Sequence, residues 1–367
     1  MQKIPIMGNK SSSVLLLPAH PANGSMSMFR YWQLLAGQIR GEDSYAPRSF
    51  FFDVDESLLQ RGSKMRRAWT RGIHYPCSIL RQPKCDLYHV LDHSWADLLR
   101  WIPSGAKTVV TVHDLIPLRF AGELKQKQVE RFRKRVSYLR KADALIAVSE
   151  HTKNEIIDIL SIAPEKIHVV PNGVKPAKYD VTCKPLGGEE VLRVGSLGSV
   201  LKRKNLEILP AAIEQYLEKG GRKMELVRAG AYVSKQLAEE FQSILGSNFI
   251  ELGRVSSSEL EEFYKDIDVL VVPSLYEGFG LPLLEAMARG VPVIASNTTS
   301  LPEVGGDAVM YVNPHGANDI AQALLKIQDS DVHLRMMRNG LKRSQNYSWR
   351  ATLEGNYAVY DKVLGRS

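Results

Sequence analysis

Nine short apolar runs alternating with helical patterns constrain this 367-residue chain more than any other feature. In the first half they read SSVLLLP (12–18), SFFFDV (49–54), TVVTVHD (108–114) and ALIAVS (144–149). In the second half they read VLRVGS (191–196), MELVRAG (224–230), NFIELG (248–253), DVLVVPS (268–274) and PVIAS (292–296). Runs that are apolar on both faces suit parallel strands buried under helices. Their alternation with helices gives βαβ units and doubly wound sheets, hence an α/β fold. From VPNGV (170–174) to CKPLGGEE (183–190), Pro, Gly and charge interrupt the alternation. That stretch reads as a linker. The expectation is two Rossmann-like domains, 1–178 and 179–349, because one core does not grow to this size. Ligands of such sheets bind beyond the carboxyl ends of the strands, so the cleft between the domains is the expected site.

Charge is unevenly placed. Between Glu56 and Lys141 there are 18 Lys/Arg against seven Asp/Glu, an excess larger than the +8 of the whole chain. The remainder is therefore net acidic, and the basicity belongs to the N-terminal half. No nucleic-acid-binding motif accompanies it, so nucleic acid is not an expected partner. Cys77, Cys85 and Cys183 form no CxxC pair and suit a reducing compartment. No run of about 18 apolar residues is present, and the first 20 residues lack a secretory pattern, so a cytoplasmic location is expected.

The stretch PSLYEGFGLPLLEAMARGVPVIAS (273–296) places Glu277 and Glu285 around Gly278, Phe279, Gly280 and Leu281. Glycines after a strand let backbone approach a ligand, and a helix beginning near Pro282 presents free N–H groups. On this reading Glu277 lies in the loop and Glu285 in the first helical turn. Carboxylates accept adjacent hydroxyls, as a ribose or sugar ring offers. Taken singly, the glutamates could merely cap a turn and complement a helix dipole.

The pattern P-S-x-x-E-G-F-G-L-P-x-x-E-A-M-A-x-G-x-P-V resembles the signature of retaining glycosyltransferases of family four, with the GT-B fold. VHDLIPL (112–118), VSEHTKNEI (148–156), RKNL (203–206), PEVGGDAVMYVNP (302–314) and the final YSWRATLEGNYAVYDKVL are similar to their family counterparts. The resemblance implies a C-terminal helix, from about residue 350 to 367, crossing back to the N-terminal domain. It implies transfer of a sugar from a nucleotide diphosphate sugar to an acceptor hydroxyl, without a cofactor or metal. By resemblance, Glu277, Gly278, Phe279, Gly280, Leu281 and Glu285 bind the donor. Arg203 and Lys204 are similar to the family's phosphate-binding pair and answer the charge of the leaving diphosphate. His113 is implied near the donor sugar, and Asp114 holds the turn beside it.

A second glycine loop, expected after the first strand, reads PAHPANGSMSMFRYW (18–32), with Gly24 its only glycine. Many relatives carry a glycine pair there. The triplet Asp53-Val54-Asp55 closes an apolar run ahead of a helix and reads as a cap rather than a metal site. The donor expectation leans to GDP-mannose, with UDP-sugars close behind, and the acceptor is a sugar or a lipid-linked oligosaccharide of surface-polysaccharide synthesis. Two other readings share the fold: a sugar-nucleotide epimerase, which would consume donor without acceptor, and an inactive nucleotide-sugar sensor. Finally, Met65, Trp69 and Ile73 recur every four residues among Lys64, Arg66, Arg67 and Arg71, and Val129, Phe132, Val136 and Leu139 share one face of a basic helix. This pattern suggests a peripheral face for an anionic membrane.

Overall fold

The computed structural model describes residues 12–20, 26–40, 43, 45, 48–49, 64–183, 186 and 191–366. Two six-stranded sheets organise them. The first contains β1 (Val14–Leu17), β2 (Arg48–Ser49), β3 (Leu87–Val90), β4 (Lys107–Val112), β5 (Ala144–Ala147) and β6 (Ile167–Val169). Its order is β2-β1-β3-β4-β5-β6. The second contains β7 (Val191–Gly198), β8 (Lys223–Gly230), β9 (Phe249–Gly253), β10 (Val269–Val272), β11 (Val293–Ser296) and β12 (Met310–Val312). Its order is β12-β11-β10-β7-β8-β9. Every pairing in both sheets is parallel.

Apolar character on both strand faces is what this arrangement requires. All four residues of β1, β3, β5, β10 and β11 are buried. The strands at 108–114, 144–149 and 268–274 are shorter than their apolar runs, because the last residues of each run turn into the cleft as loop. Beyond the nine expected strands stand β3, β6 and β12. Of the run 49–54, only Ser49 lies in a described strand; the rest of it, with Asp53 and Asp55, lies outside the described residues.

Between Val169 and Val191 the chain leaves the first sheet for the second. It returns through the helix Trp349–Leu364, whose start is capped by Ser348 accepting from Ala351 N–H. Trp349, Leu353, Tyr357 and Tyr360 pack in one cluster with Val14, Leu16, Leu87 and Val109 of the first sheet. Polar contacts fix the register: Arg350 pairs with Asp43 at 2.8 Å, Tyr45 donates to Asp361 at 2.7 Å, and His89 Nδ1 meets the Tyr360 hydroxyl at 2.6 Å. The outgoing and returning strands touch in a bridge between Val174 and Ser348. They pass so closely that a Cβ on Gly173 would stand 2.2 Å from the Trp349 nitrogen.

Candidate active site

In the second sheet β7 and β10 are neighbours, yet β7 leads towards β8 on one side and β10 towards β11 on the other. The loops after these strands diverge and leave a crevice, the place where doubly wound sheets hold ligands. After β7 the chain makes a 3-10 turn over Lys202–Lys204 and reverses at Asn205, whose φ is 55°. The Asn205 amide donates to Pro273 O at 3.1 Å and Pro314 O at 2.6 Å, and Leu275 N–H donates to Arg203 O at 2.7 Å. The RKN turn is thereby stitched to the loop after β10.

Those bonds bring Arg203 and Lys204 onto Glu277. Lys204 Nζ lies 2.5 Å from Oε1 of Glu277, Ser274 Oγ donates to the same oxygen at 2.8 Å, and Arg203 Nη1 stands 3.6 Å from Oε2. Glu277 is 8% exposed. Burial pushes its carboxyl up, but the Lys204 and Arg203 charges, with the hydrogen bonds from Lys204 and Ser274, outweigh it and hold the carboxyl below its ordinary value. An ionised carboxylate is thus held ready between two cations.

Gly278 follows, and here the domains meet. Its carbonyl accepts from Ser149 Oγ at 2.8 Å and Thr152 Oγ1 at 3.2 Å. A Cβ at Gly278 would lie 2.2 Å from His113 O and 2.9 Å from Asp114 Cβ, so only glycine lets this loop rest on the end of β4. Phe279 is buried in the core of the second domain and meets the Tyr347 ring edge-on at 6.0 Å. Leu281 packs against the same core, so these two side chains anchor the loop. Gly280, at φ 97°, caps the helix Leu281–Met287.

Glu285 is the fifth residue of that helix and stands in its second turn, a correction to the first-turn expectation: Leu281 opens the helix and Pro282 follows it. Glu285 is half-buried and accepts from the Tyr264 hydroxyl at 3.1 Å. Burial raises its carboxyl, against the opposing charges of Arg30 and Arg289. Arg30 stands on the helix Met26–Ala36 of the first domain. Its influence on Glu285 crosses the cleft and was not readable in the sequence.

From the first domain, His113 directly follows β4 and is buried. Its Nε2 lies 2.9 Å from Leu91 O, which can only accept, so Nε2 carries the proton and Nδ1 is the ring's acceptor. Burial lowers its pKa, partly offset by the Asp92 charge, so the ring is neutral at neutral pH. Tyr31 packs edge-on against it at 4.7 Å. Asp114 holds the turn by accepting from Ile116 N–H at 3.0 Å. Asp92 and His93, after β3, escaped the sequence reading; Asp92 accepts from Ser94 N–H at 2.8 Å, and His93 Nδ1 accepts from His113 N–H at 3.3 Å. Gly24 lies outside the described residues.

Two sequence families match the two halves of the chain: "Glycosyltransferase Family 4" over residues 46–178 and "Glycosyl transferases group 1" over 188–330. The chain belongs to the family 4, group 1 glycosyltransferases. Among relatives of this glycosyltransferase, the serotype-specific mannosyltransferase WbdA of Escherichia coli is 30% identical over 300 residues, 74% of this chain and 35% of WbdA. The MMP alpha-(1->4)-mannosyltransferase of Mycolicibacterium hassiacum is 30% identical over 62% of this chain and 56% of its own length. The chain thus spans about a third of the one relative and about half of the other. Among solved structures, sucrose-phosphate synthase of Thermosynechococcus elongatus has a TM-score of 0.73 at 20% identity, covering 97% of this chain and 100% of that one. Anabaena HepE, in complex with UDP and glucose, has a TM-score of 0.70 at 15% identity, covering 96% and 100%. These likenesses establish the fold as GT-B, two parallel-sheet α/β domains facing a cleft.

Proposed function

We propose that this glycosyltransferase moves a hexose, mannose from GDP-mannose first among the candidates, from a nucleotide diphosphate sugar to an acceptor hydroxyl with retention of configuration and without a metal. The observation that carries the reading is the Arg203–Lys204 pair beside buried Glu277 at the β7/β10 crevice. In this reading Lys204 and Arg203 receive the leaving diphosphate, each charge-assisted contact contributing roughly 1.5–3 kcal/mol. Tyr264 occupies one oxygen of Glu285, and its other lone pairs accept the ribose hydroxyls. Glu277 accepts hydroxyls of the donor sugar. Neutral His113, its Nε2–H committed to Leu91, accepts a sugar hydroxyl at Nδ1 rather than acting as a cation. The names of WbdA and the mycobacterial relative support mannose, and a lipid-linked or oligosaccharide acceptor accords with polysaccharide synthesis.

The acceptor's setting is proposed to be an anionic membrane surface in the cytoplasm. Of nine large apolar side chains exposed among the described residues, Met65, Trp69, Ile73 and Leu80 all lie within 64–80. No helix of the described residues is long and apolar enough to cross a membrane.

Thermal-shift measurements with GDP-mannose, UDP-sugars and bare nucleotides test the donor. Ligand at 100 times its Kd adds about 2.7 kcal/mol of stability. Proton NMR of the transferred product then reads its anomeric configuration, with and without chelator. No stabilisation by any sugar nucleotide, an inverted product, or activity lost to chelator would each defeat the corresponding part.

A further inference from the structure

The loop that carries Glu277 is gripped from the other domain on both sides of that residue. Tyr276, buried at 4% exposure, sends its hydroxyl to Oε2 of Glu155. Glu155 stands on the helix Glu150–Leu160, is 3% exposed, and takes Arg119 Nε on its other oxygen at 2.8 Å. The Tyr276 ring sits between Phe120 and His151, with centroids 5.7 and 5.4 Å away. One residue beyond Glu277, the Gly278 carbonyl takes the hydroxyls of Ser149 and Thr152 at the start of the same helix. A third grip comes from Glu303, whose two oxygens accept Glu150 N–H at 2.8 Å and His151 N–H at 3.3 Å. Ser149 already caps that helix. Glu303 therefore satisfies first-turn donors that would otherwise turn to water when the domains part.

In three consecutive residues, then, the side chain of 276 and the backbone of 278 belong to the first domain, while the carboxylate between them belongs to Lys204 and Arg203. We propose that Tyr276, Glu155 and Glu303 are positioning residues that register the Glu277 loop over His113, so that the donor site and the histidine align only while the helix Glu150–Leu160 is engaged. The grip is all-or-none for a physical reason. Separating the domains takes the Tyr276 hydroxyl from Glu155, leaving that carboxylate to Arg119, and in the same step takes both hydroxyl donors from the Gly278 carbonyl. Hydrogen bonds lost at a carboxylate and a carbonyl together are costly. Burial, followed by the charge of Glu155, pushes the Tyr276 hydroxyl above its ordinary range, so it stays a donor at any working pH.

The inference rests on the donor-site reading of Glu277, and its test separates the two. Tyr276→Phe keeps the ring in place and removes one hydroxyl. With the sugar nucleotide identified by thermal shift, turnover in this variant is expected to fall about tenfold or more, while calorimetric affinity for the bare nucleoside diphosphate stays within twofold. Glu303→Gln, which keeps one accepting oxygen, is expected to lose less turnover than Glu303→Ala. Ligand-free hydrogen exchange reads the grip without any donor. The amides of 150–160 and 276–278 are expected to exchange faster in Tyr276→Phe and Glu303→Ala than in the unaltered protein. Unchanged exchange overturns the proposal whatever the ligand proves to be. Wild-type turnover in Tyr276→Phe also overturns it, as does nucleotide affinity falling in step with turnover, which would make Tyr276 a ligand contact. Absence of any nucleotide binding in the unaltered protein would instead overturn the donor-site reading.

Discussion

Lys204 pairs with Glu277, and in the proposed reading it also receives the donor diphosphate. Removing it leaves Glu277 buried with Arg203 at 3.6 Å as its remaining cation. Lys204→Ala is therefore expected to lower stability by about 1–3 kcal/mol, read by urea unfolding, as well as slowing transfer at least tenfold. Arg203→Ala, losing the longer contact, should cost less stability but a similar factor in rate. The two glutamates should divide their work. Glu285→Ala is expected to weaken bare nucleotide and sugar nucleotide alike in calorimetry, and Glu277→Ala to harm turnover more than bare-nucleotide affinity. Equal losses for both mutants with both ligands would end that division. These residues were legible because the motif keeps them close in sequence: 203 and 204 are adjacent, and seven residues separate 277 from 285. Glu303 and Tyr276 were not, since their partners lie 153, 152 and 121 residues away and only the folded interface joins them.

At the level of elements, nine of the twelve strands among the described residues could be read as apolar runs, and their ends strayed by one or two residues where a run continues into a cleft loop. β6 and β12 hold three residues each, too few for a period to show, while β3 was hidden by the polar His89 in its middle. That histidine reports on how the crossing helix is held. It is fully buried between the Tyr360 hydroxyl and Thr111 Oγ1, and burial, with the nearby His113 charge, lowers its pKa to about 3. A lowered pKa favours the folded state above the unfolded value near 6.5, and that stability is lost as pH falls from there towards about 3. This group alone should therefore cost about 1.4 kcal/mol per pH unit across that window. His89→Gln should flatten the acid limb of an unfolding-versus-pH curve, and an unchanged slope would reject the assignment. At the hinge, Gly173→Ala must push apart two backbones that a Cβ would bring to 2.2 Å. The expected loss is about 1–3 kcal/mol in urea unfolding.

Across the whole molecule, the basic excess belongs to the first domain, much of it in two segments. The segment 64–80 and the helix Gln126–Val136 both pack against the 3-10 segment His93–Trp101. Val129, Phe132, Val136 and Leu139 are buried there, as their shared face implied, leaving Lys127, Arg131, Arg133, Lys134 and Arg140 exposed. Arg71 departs from the expected role of a free cation. Its guanidinium lies over the Trp95 ring at 4.1 Å and pairs with Asp97 at 2.8 Å, so it fastens the segment to the domain. The surface proposed to meet lipid is thus Met65 at 82% exposure, Trp69 at 51% and Ile73 at 56%, beside the exposed cations of the basic helix. Each such cation contributes about 1 kcal/mol near an anionic leaflet, so a handful suffices for reversible attachment. Flotation with anionic vesicles should carry the protein upward, and neutral vesicles should not. Raising salt should release it as the Debye length falls below about 8 Å. Met65→Ser with Trp69→Ser and Ile73→Ser should weaken flotation while leaving nucleotide affinity intact, because those side chains are exposed and none is among the residues assigned to the donor. Arg71→Gln belongs in a separate arm, where lost stability rather than lost lipid binding is expected. Equal flotation with anionic and neutral vesicles would leave a basic face without a membrane partner.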